Sequence, residues 1–387
     1  PLASRRVIMT SMTTSTARMR IAMVATELGV GGAERCLAAL SLGLDRARFE
    51  THVFSLAGRP AAERAALVTA LEAAGINMEF LGLDSSRSFR RGLRLLANCF
   101  QQLQPDLVQT FLFHANVLGS LAARRANVPR LVTGIRVTHE NWFRRRLERR
   151  CTQHADAHVC VSRDVAQYAA NKIGLPESRL HVIPNGIDVS RFDDVAPYDL
   201  SPFGVDAATP VIGCIARLQR QKGVDRLLDT APRLLEQLRD WKIVIAGDGP
   251  QRRQLEARVK RLRLEARVHF LGWQARTEAL LKRIDVLAIP SRWEGMSNVL
   301  LEAMAARVPL VATDTEGTRE VLGASSCDCL ASRQDLDDFV GQLIALCRDP
   351  ARRRRVVEQN WQRVDQHFPL TAMIENHEKL YTSLRDR

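Results

Sequence analysis

The sequence predicts an α/β protein made of two doubly wound parallel-sheet domains that face each other across a cleft. Three observations predict it. Short apolar runs alternate with amphipathic segments over residues 20–184 and again over 211–367, as strands buried on both faces alternate with the helices that cover them. Glycine turns stand at strand ends, at Gly29, Gly31 and Gly32, at Gly247 and Gly249, and at Gly272, where doubly wound sheets bind ligands. A turn-rich, mixed-charge stretch at 190–210 separates the halves and reads as a hinge.

In the first half, strands are predicted at 20–26, 51–56, 77–82, 107–111, 131–137, 157–162 and 180–184. Helices fall between them from about Gly32, near 61–74 and 88–104, from His114, near 142–153 and up to about 173. The second half repeats the alternation, with strands at 211–216, 242–246, 268–271, 285–289 and 310–313 and final helices near 334–348 and 351–367. Pro290 ends the strand at 285–289, which leaves Glu294 and Gly295 in a loop and starts a helix at Met296 that runs to Arg307. The closing segment carries Met373, Ile374, His377, Leu380 and Tyr381 on one helical stripe, a packing face expected to cross back to the first domain. Residues 1–18 lack any pattern and read as a disordered leader. The expected division is therefore 19–190, 191–367 and a closing helix at 368–387.

Composition narrows the function. A length of 387 residues suits two domains, and 46% hydrophobic with 26% charged residues is ordinary for globular protein. Eight cysteines are scattered without a CxxC pair, which favours reduced thiols and a cytoplasmic setting; Cys327 and Cys329 have no third ligand nearby to make a metal site. The most apolar long window, 107–123, is interrupted by Gln109, His114 and Asn116 and falls short of the roughly 20 residues of a membrane span.

The net charge of +13 implies an anionic partner or serves solubility. Arginines gather at Arg90, Arg91 and Arg94 beside Phe89, at Arg144, Arg145, Arg146, Arg149 and Arg150 beside Trp142 and Phe143, and at 352–355. The first two runs interleave cations with apolar residues as basic helices lying on an anionic membrane do, and equally as solvated surface helices do. Nucleic acid is not expected, since neither zinc spacing nor an RNA-binding aromatic signature is present.

Four motifs carry chemistry. Gly31 and Gly32 lie between the first strand and first helix, where backbone amides approach an anion at a positive helix end. Glu34 takes the place of the third glycine in the dinucleotide fingerprint and disfavours an oxidoreductase. Arg217 and Lys222 follow the first strand of the second half, a planar fork and a point charge able to grip one diphosphate. Glu294 and Glu302, across Gly295, Met296, Ser297, Asn298 and Leu301, set two acids on the order of 10 Å apart along a helix start. That span suits an elongated ligand with an anion between two polar ends. Asp335 and Asp337 spell a DxD, better explained as a helix cap than as a metal site.

Taken in order, the motif at 31–35, the run 184–188, the Arg217 and Lys222 pair, the turn at 247–250 and the Glu294 to Glu302 motif resemble the retaining glycosyltransferases of family 4, with the GT-B fold of two Rossmann-like domains. The resemblance covers about residues 19–384 and implies roles. Glu294 would lie by the transferred sugar and Glu302 on the ribose hydroxyls; Arg217 and Lys222 would hold the diphosphate in place of a metal ion. Gly31 and Gly32 would close on the phosphates, Gly272 would approach the base, and His114 would touch the sugar. Ser297 stands where many members carry proline. The implied activity is metal-independent transfer from a nucleotide sugar, mostly a UDP-sugar, to a lipid-linked or saccharide acceptor at the inner face of a membrane. The nucleotide sugar is a co-substrate, and no cofactor is expected. Cations at the diphosphate and oxygens near the sugar ring suit the charge that builds when that bond breaks. An epimerase or phosphorylase on the same frame, and a non-catalytic nucleotide-sugar binder, are the other readings.

Overall fold

Strands apolar on both faces need cover on both, and each sheet of this chain has it. The computed structural model describes residues 18–29, 31–83, 88–138, 140–315, 317–323 and 328–386. All of the 1–18 leader but Arg18, together with Val30 and Cys327, lies outside them. Among the described residues the first half holds β1 (Met19–Ala25), β2 (Phe49–Ser55), β3 (Asn77–Phe80), β4 (Leu107–Phe111), β5 (Arg130–Ile135), β6 (Ala157–Cys160) and β7 (Leu180–Val182). They form one parallel sheet in the order β3-β2-β1-β4-β5-β6-β7. Helices α1 (Gly32–Gly43), α2 (Ala66–Ala73), α3 (Phe89–Leu103), α4 (Leu112–Arg125), α5 (Trp142–Thr152) and α6 (Arg163–Tyr168) cover it.

The second sheet contains β8 (Val211–Ile215), β9 (Lys242–Ala246), β10 (Val268–Gly272), β11 (Val286–Ile289), β12 (Leu310–Thr313) and β13 (Leu330–Ala331), in the parallel order β10-β9-β8-β11-β12-β13. Its helices are α7 (Val224–Gln237), α8 (Arg252–Arg261), α9 (Thr277–Arg283), α10 (Asn298–Ala305), α11 (Thr318–Leu322), α12 (Leu336–Arg348) and α13 (Pro350–His367). The predicted class of two doubly wound domains holds. Strand order reverses direction between β1 and β4 in one sheet and between β8 and β11 in the other, and these switch points are where such sheets open a crevice.

Local differences from the sequence reading have physical causes. β13 is two residues long, too short for any periodic signal. α4 begins at Leu112, not at His114, because Leu112 adopts φ +69° and turns the chain straight from strand into helix. A left-handed leucine costs on the order of 1 kcal/mol, a strain of the kind stored at functional sites. α10 begins at Asn298 and stops at Ala305, two residues inside each predicted end; Arg307 at φ +60° terminates it.

The last helix, α14 (Leu370–Arg385), belongs to the first domain's core. Met373, Leu380, Tyr381 and Leu384 are buried among residues of β1 and α1, and Tyr381 donates to Gln109 Oε1 at 3.2 Å. Burying one such aromatic contributes roughly 2 kcal/mol. The chain thus crosses between domains twice. The crossings meet where Ile187 N–H donates to Phe368 O at 2.9 Å and Leu370 N–H donates to Ile187 O at 3.0 Å.

Candidate active site

Loops leaving the C-terminal ends of β1, β4 and β5 face those leaving β8 and β11. Glu294 lies in the β11 loop, 4% exposed, and is held from two sides. Ser291 Oγ donates to its Oε1 at 2.8 Å, while Thr313 Oγ1 fixes Ser291 by donating to its carbonyl at 2.5 Å. Lys222 Nζ donates to the same Oε1 at 2.5 Å. The turn carrying Lys222 is locked to the Glu294 loop by Arg292, whose guanidinium meets both oxygens of Asp225 at 2.7 and 2.8 Å, and by Gln221, whose amide donates to Trp293 O at 3.0 Å. A charged pair this dry and well bonded has a fixed geometry.

Ser297 sits at the N-cap of α10 without capping it. Its hydroxyl is buried and has no hydrogen-bond partner among the described residues. The unpartnered hydroxyl and the first-turn amides of α10 thus share a helix N-terminus, which favours an anion. Gly295 packs so closely on the first domain that a methyl group there would overlap the carbonyl of Arg136. Met296 Sδ accepts from Asn185 N–H at 3.2 Å.

From the opposite wall comes the glycine loop. Gly32 O accepts from Asn298 Nδ2 at 2.8 Å, which joins the domains directly over the start of α10. Gly31 has room only because it lacks a side chain, since the carboxyl of Glu34 folds over it. Burial pushes that carboxyl up to about 7, against the pull of its own backbone N–H and of Arg136 and Arg217. The sequence reading took Glu34 as a mark against a dinucleotide site; buried over Gly31, its carboxyl holds a proton more readily than usual.

Glu302 is buried, 8% exposed, and faces Arg35 of α1 with 3.7 Å between Nη1 and Oε1. Burial raises its pKa, and Arg35 and then Arg191 oppose the rise. Arg35 also reaches Thr277 Oγ1 at 3.4 Å. Arg35, Arg191 and Glu302 line, with Asp188, Asn298 and Leu301, a small cleft between α1, α10 and the hinge.

The remaining sequence candidates have contacts of their own. Arg217 and Lys222 do not form a free cation pair: Lys222 is bound to Glu294, while Arg217, 64% exposed, lies 3.9 Å from Glu27 of the first domain. The cause is tertiary, because the β11 loop brings a buried acid to Lys222 alone. Gly272, at φ +70°, ends β10 beside the Arg252 guanidinium, and Arg64 of the first domain lies over the neighbouring Trp273 at 6.0 Å. His114 stands in the first turn of α4, its ring against Phe113 at 5.3 Å and its pKa lowered by partial desolvation and by Arg144. Asp335 caps α12 by accepting from the amides of Asp337 and Asp338 at 2.8 and 3.2 Å.

Sequence reasoning missed Arg35, Arg136 and Asn185 as site residues. Arg136 follows β5 at its C-terminal end, and that position was the one available signal. Arg35 and Asn185 lay inside quoted motifs, but their partners are in the other domain.

Comparison with known proteins identifies the family. The model for Glycosyltransferase Family 4 matches residues 30–191, and that for Glycosyl transferases group 1 matches residues 209–349. The mannosyltransferase LpsB of lipopolysaccharide core biosynthesis in Rhizobium meliloti is 30% identical over 240 residues, 59% of this chain and 66% of that protein. The UDP-Gal:alpha-D-GlcNAc-diphosphoundecaprenol alpha-1,3-galactosyltransferase of Escherichia coli is 26% identical over 261 residues, 63% of this chain and 67% of that one. The crystal structure of Anabaena HepE in complex with UDP-glucose superposes with a TM-score of 0.80 at 22% identity, covering 95% of this chain and all of that one, and shows the GT-B fold. The chain belongs to the group 1, family 4 glycosyltransferases and is a glycosyltransferase.

Proposed function

We propose that this glycosyltransferase retains anomeric configuration, needs no metal ion, and moves a sugar from a UDP-sugar to a lipid-linked or saccharide acceptor. The observation that carries the reading is the Lys222 and Glu294 pair in the loop that leads into α10, whose first residue, Asn298, bonds the glycine loop. In this reading the diphosphate lies between α10 and the glycine loop, with Lys222 and Arg217 meeting the charge released as the sugar leaves. Glu294 orients the sugar hydroxyls. Glu302 takes the ribose hydroxyls, exchanging its contact with Arg35 for them. His114 touches the sugar from the first domain. The acceptor attacks from the leaving-group side and passes its proton to the phosphate. The lipid-linked acceptor is supported by the galactosyltransferase relative, whose name specifies a diphosphoundecaprenol substrate.

An anionic membrane surface is the fitting partner for α5. Trp142 and Phe143 are 67% and 59% exposed on it beside Arg146, Arg149 and Arg150, also exposed. No helix among the described residues is long and apolar enough to cross a membrane. Arg352 and Arg353 of the third arginine run are instead spent on packing, bonded to Asp328 O at 2.8 Å and Leu346 O at 3.1 Å.

The test is incubation of purified protein with a panel of UDP- and GDP-sugars, with and without EDTA, following donor hydrolysis by NMR. Slow release of the sugar first as the α-anomer from an α-linked donor, unaffected by EDTA, is expected. Release of the β-anomer, or EDTA-sensitive turnover, overturns the retaining, metal-free mechanism. No turnover of any donor favours a non-catalytic binder.

A further inference from the structure

Asn185, 4% exposed, sits beside the point where the two interdomain crossings pair. Its side chain makes two bonds of opposite sense. Oδ1 accepts from Arg136 Nη2, and Nδ2 donates to Asn298 Oδ1 at 2.6 Å. Asn298 in turn donates its Nδ2 to Gly32 O at 2.8 Å. Three donors thus point the same way along a circuit that leaves the first domain at Arg136, passes through the hinge into α10, and returns to the first domain at the glycine loop. The charge at its head strengthens the bonds behind it. The backbone N–H of Asn185 goes to Met296 Sδ at 3.2 Å, so the same residue also fixes the donor loop.

We propose that Asn185 is a positioning residue for sugar transfer, a relay that ties the angle between the domains to the registration of the glycine loop over α10. The proposal rests on the transferase reading for its consequence and on the hydrogen bonds for its mechanism. The position requires one acceptor and one donor on a short arm, which asparagine supplies. Aspartate has the same shape but only acceptors. It keeps the bond from Arg136, but it forces Asn298 to turn its NH2 toward residue 185 and its oxygen toward the carbonyl of Gly32. The last link then becomes a repulsion.

The test uses full-length N185D, N298A and the double variant. Each is expected to keep the wild-type circular dichroism, yet to show a larger radius of gyration by small-angle scattering without ligand. Each should also bind UDP and GDP about tenfold more weakly, the size of one lost hydrogen bond. The double variant should be no worse than N185D alone, because both changes cut one circuit. A ligand-free radius and nucleotide affinity equal to wild type in N185D overturn the relay, as do losses that multiply in the double variant. Should N185D not fold, N298A and N185S carry the same comparison. Wild-type protein that binds neither nucleotide and cleaves no nucleotide sugar overturns the transferase reading instead, and the ligand-free scattering still decides the relay.

Discussion

Lys222 and Glu294, 72 residues apart in sequence, share a 2.5 Å charge-assisted hydrogen bond at the centre of the cleft. Two groups expected to serve different ends of a donor are thus one electrostatic unit in the ligand-free protein. A nucleotide sugar that enters finds the cation already oriented and the acid already neutralised.

Removing Lys222 leaves Glu294 buried without its cation. Lys222→Met is expected to destabilise the fold by roughly 3 kcal/mol, the range for breaking a buried pair. The double variant Lys222→Met with Glu294→Gln should recover most of the loss while staying inactive. Urea unfolding of the three proteins checks this; equal stability of both variants would disprove the coupling.

Gly295 makes a prediction about closure. Because a methyl group there overlaps Arg136 O, a backbone atom of the other domain, Gly295→Ala should hold the domains apart. Donor turnover should fall by at least about tenfold, since misplacing reacting groups by an ångström is costly. The melting temperature should move little, and a large drop in melting temperature with normal turnover would contradict the reading.

Glu302 and Arg217 should separate binding from turnover. Glu302→Gln is expected to weaken UDP binding by about ten- to a hundredfold, the loss of a charge-assisted contact worth roughly 1.5 to 3 kcal/mol. Arg217→Ala, at an exposed position, should leave stability unchanged and lower donor turnover. Calorimetric titration and a donor hydrolysis assay measure the two effects, and unchanged values in both would remove these residues from the site.

Glu34 should make stability depend on pH. Its carboxyl titrates near 7 in the fold and near 4.5 when unfolded, so between those values the folded protein keeps a proton that the unfolded chain has lost. The stability it contributes is fully present below about pH 4.5 and is lost as pH rises through 7. Glu34→Gln should therefore be roughly 3 kcal/mol more stable than wild type at pH 8, at about 1.4 kcal/mol per pKa unit, and nearly equal to it at pH 4.5. Urea midpoints at the two pH values decide it; the same difference at both would rule out Glu34 as the source.

On the membrane side, Trp142→Ser with Phe143→Ser should abolish flotation of the protein with phosphatidylserine-containing vesicles at low salt and leave donor hydrolysis intact. Raising salt should release the wild type. Flotation unchanged by the double substitution would exclude α5 as the docking surface.

What was legible in the sequence follows from period and punctuation. Strands such as β8 and β11 read clearly because burial on both faces makes them continuously apolar. The loops at Gly31, Lys222 and Glu294 were found because glycine, lysine and acid at strand ends announce ligands. The start of α10 was read two residues early, at Met296, whereas Ser297 holds the N-cap position and the helix begins at Asn298. Partner choice was not legible: nothing near Lys222 in sequence announces Glu294, and nothing near Arg35 announces Glu302. Such pairings are decided by how two domains meet, and hydrogen bonds across a cleft leave no periodic trace in either segment.

The pairing of Ile187 with Pro369 has a mechanical result. One tether would let the halves swivel freely about its length. Two, laid side by side and stitched by hydrogen bonds, resist twisting and leave bending as the soft motion. Any opening of the cleft would then run about one line, as a book turns on its spine.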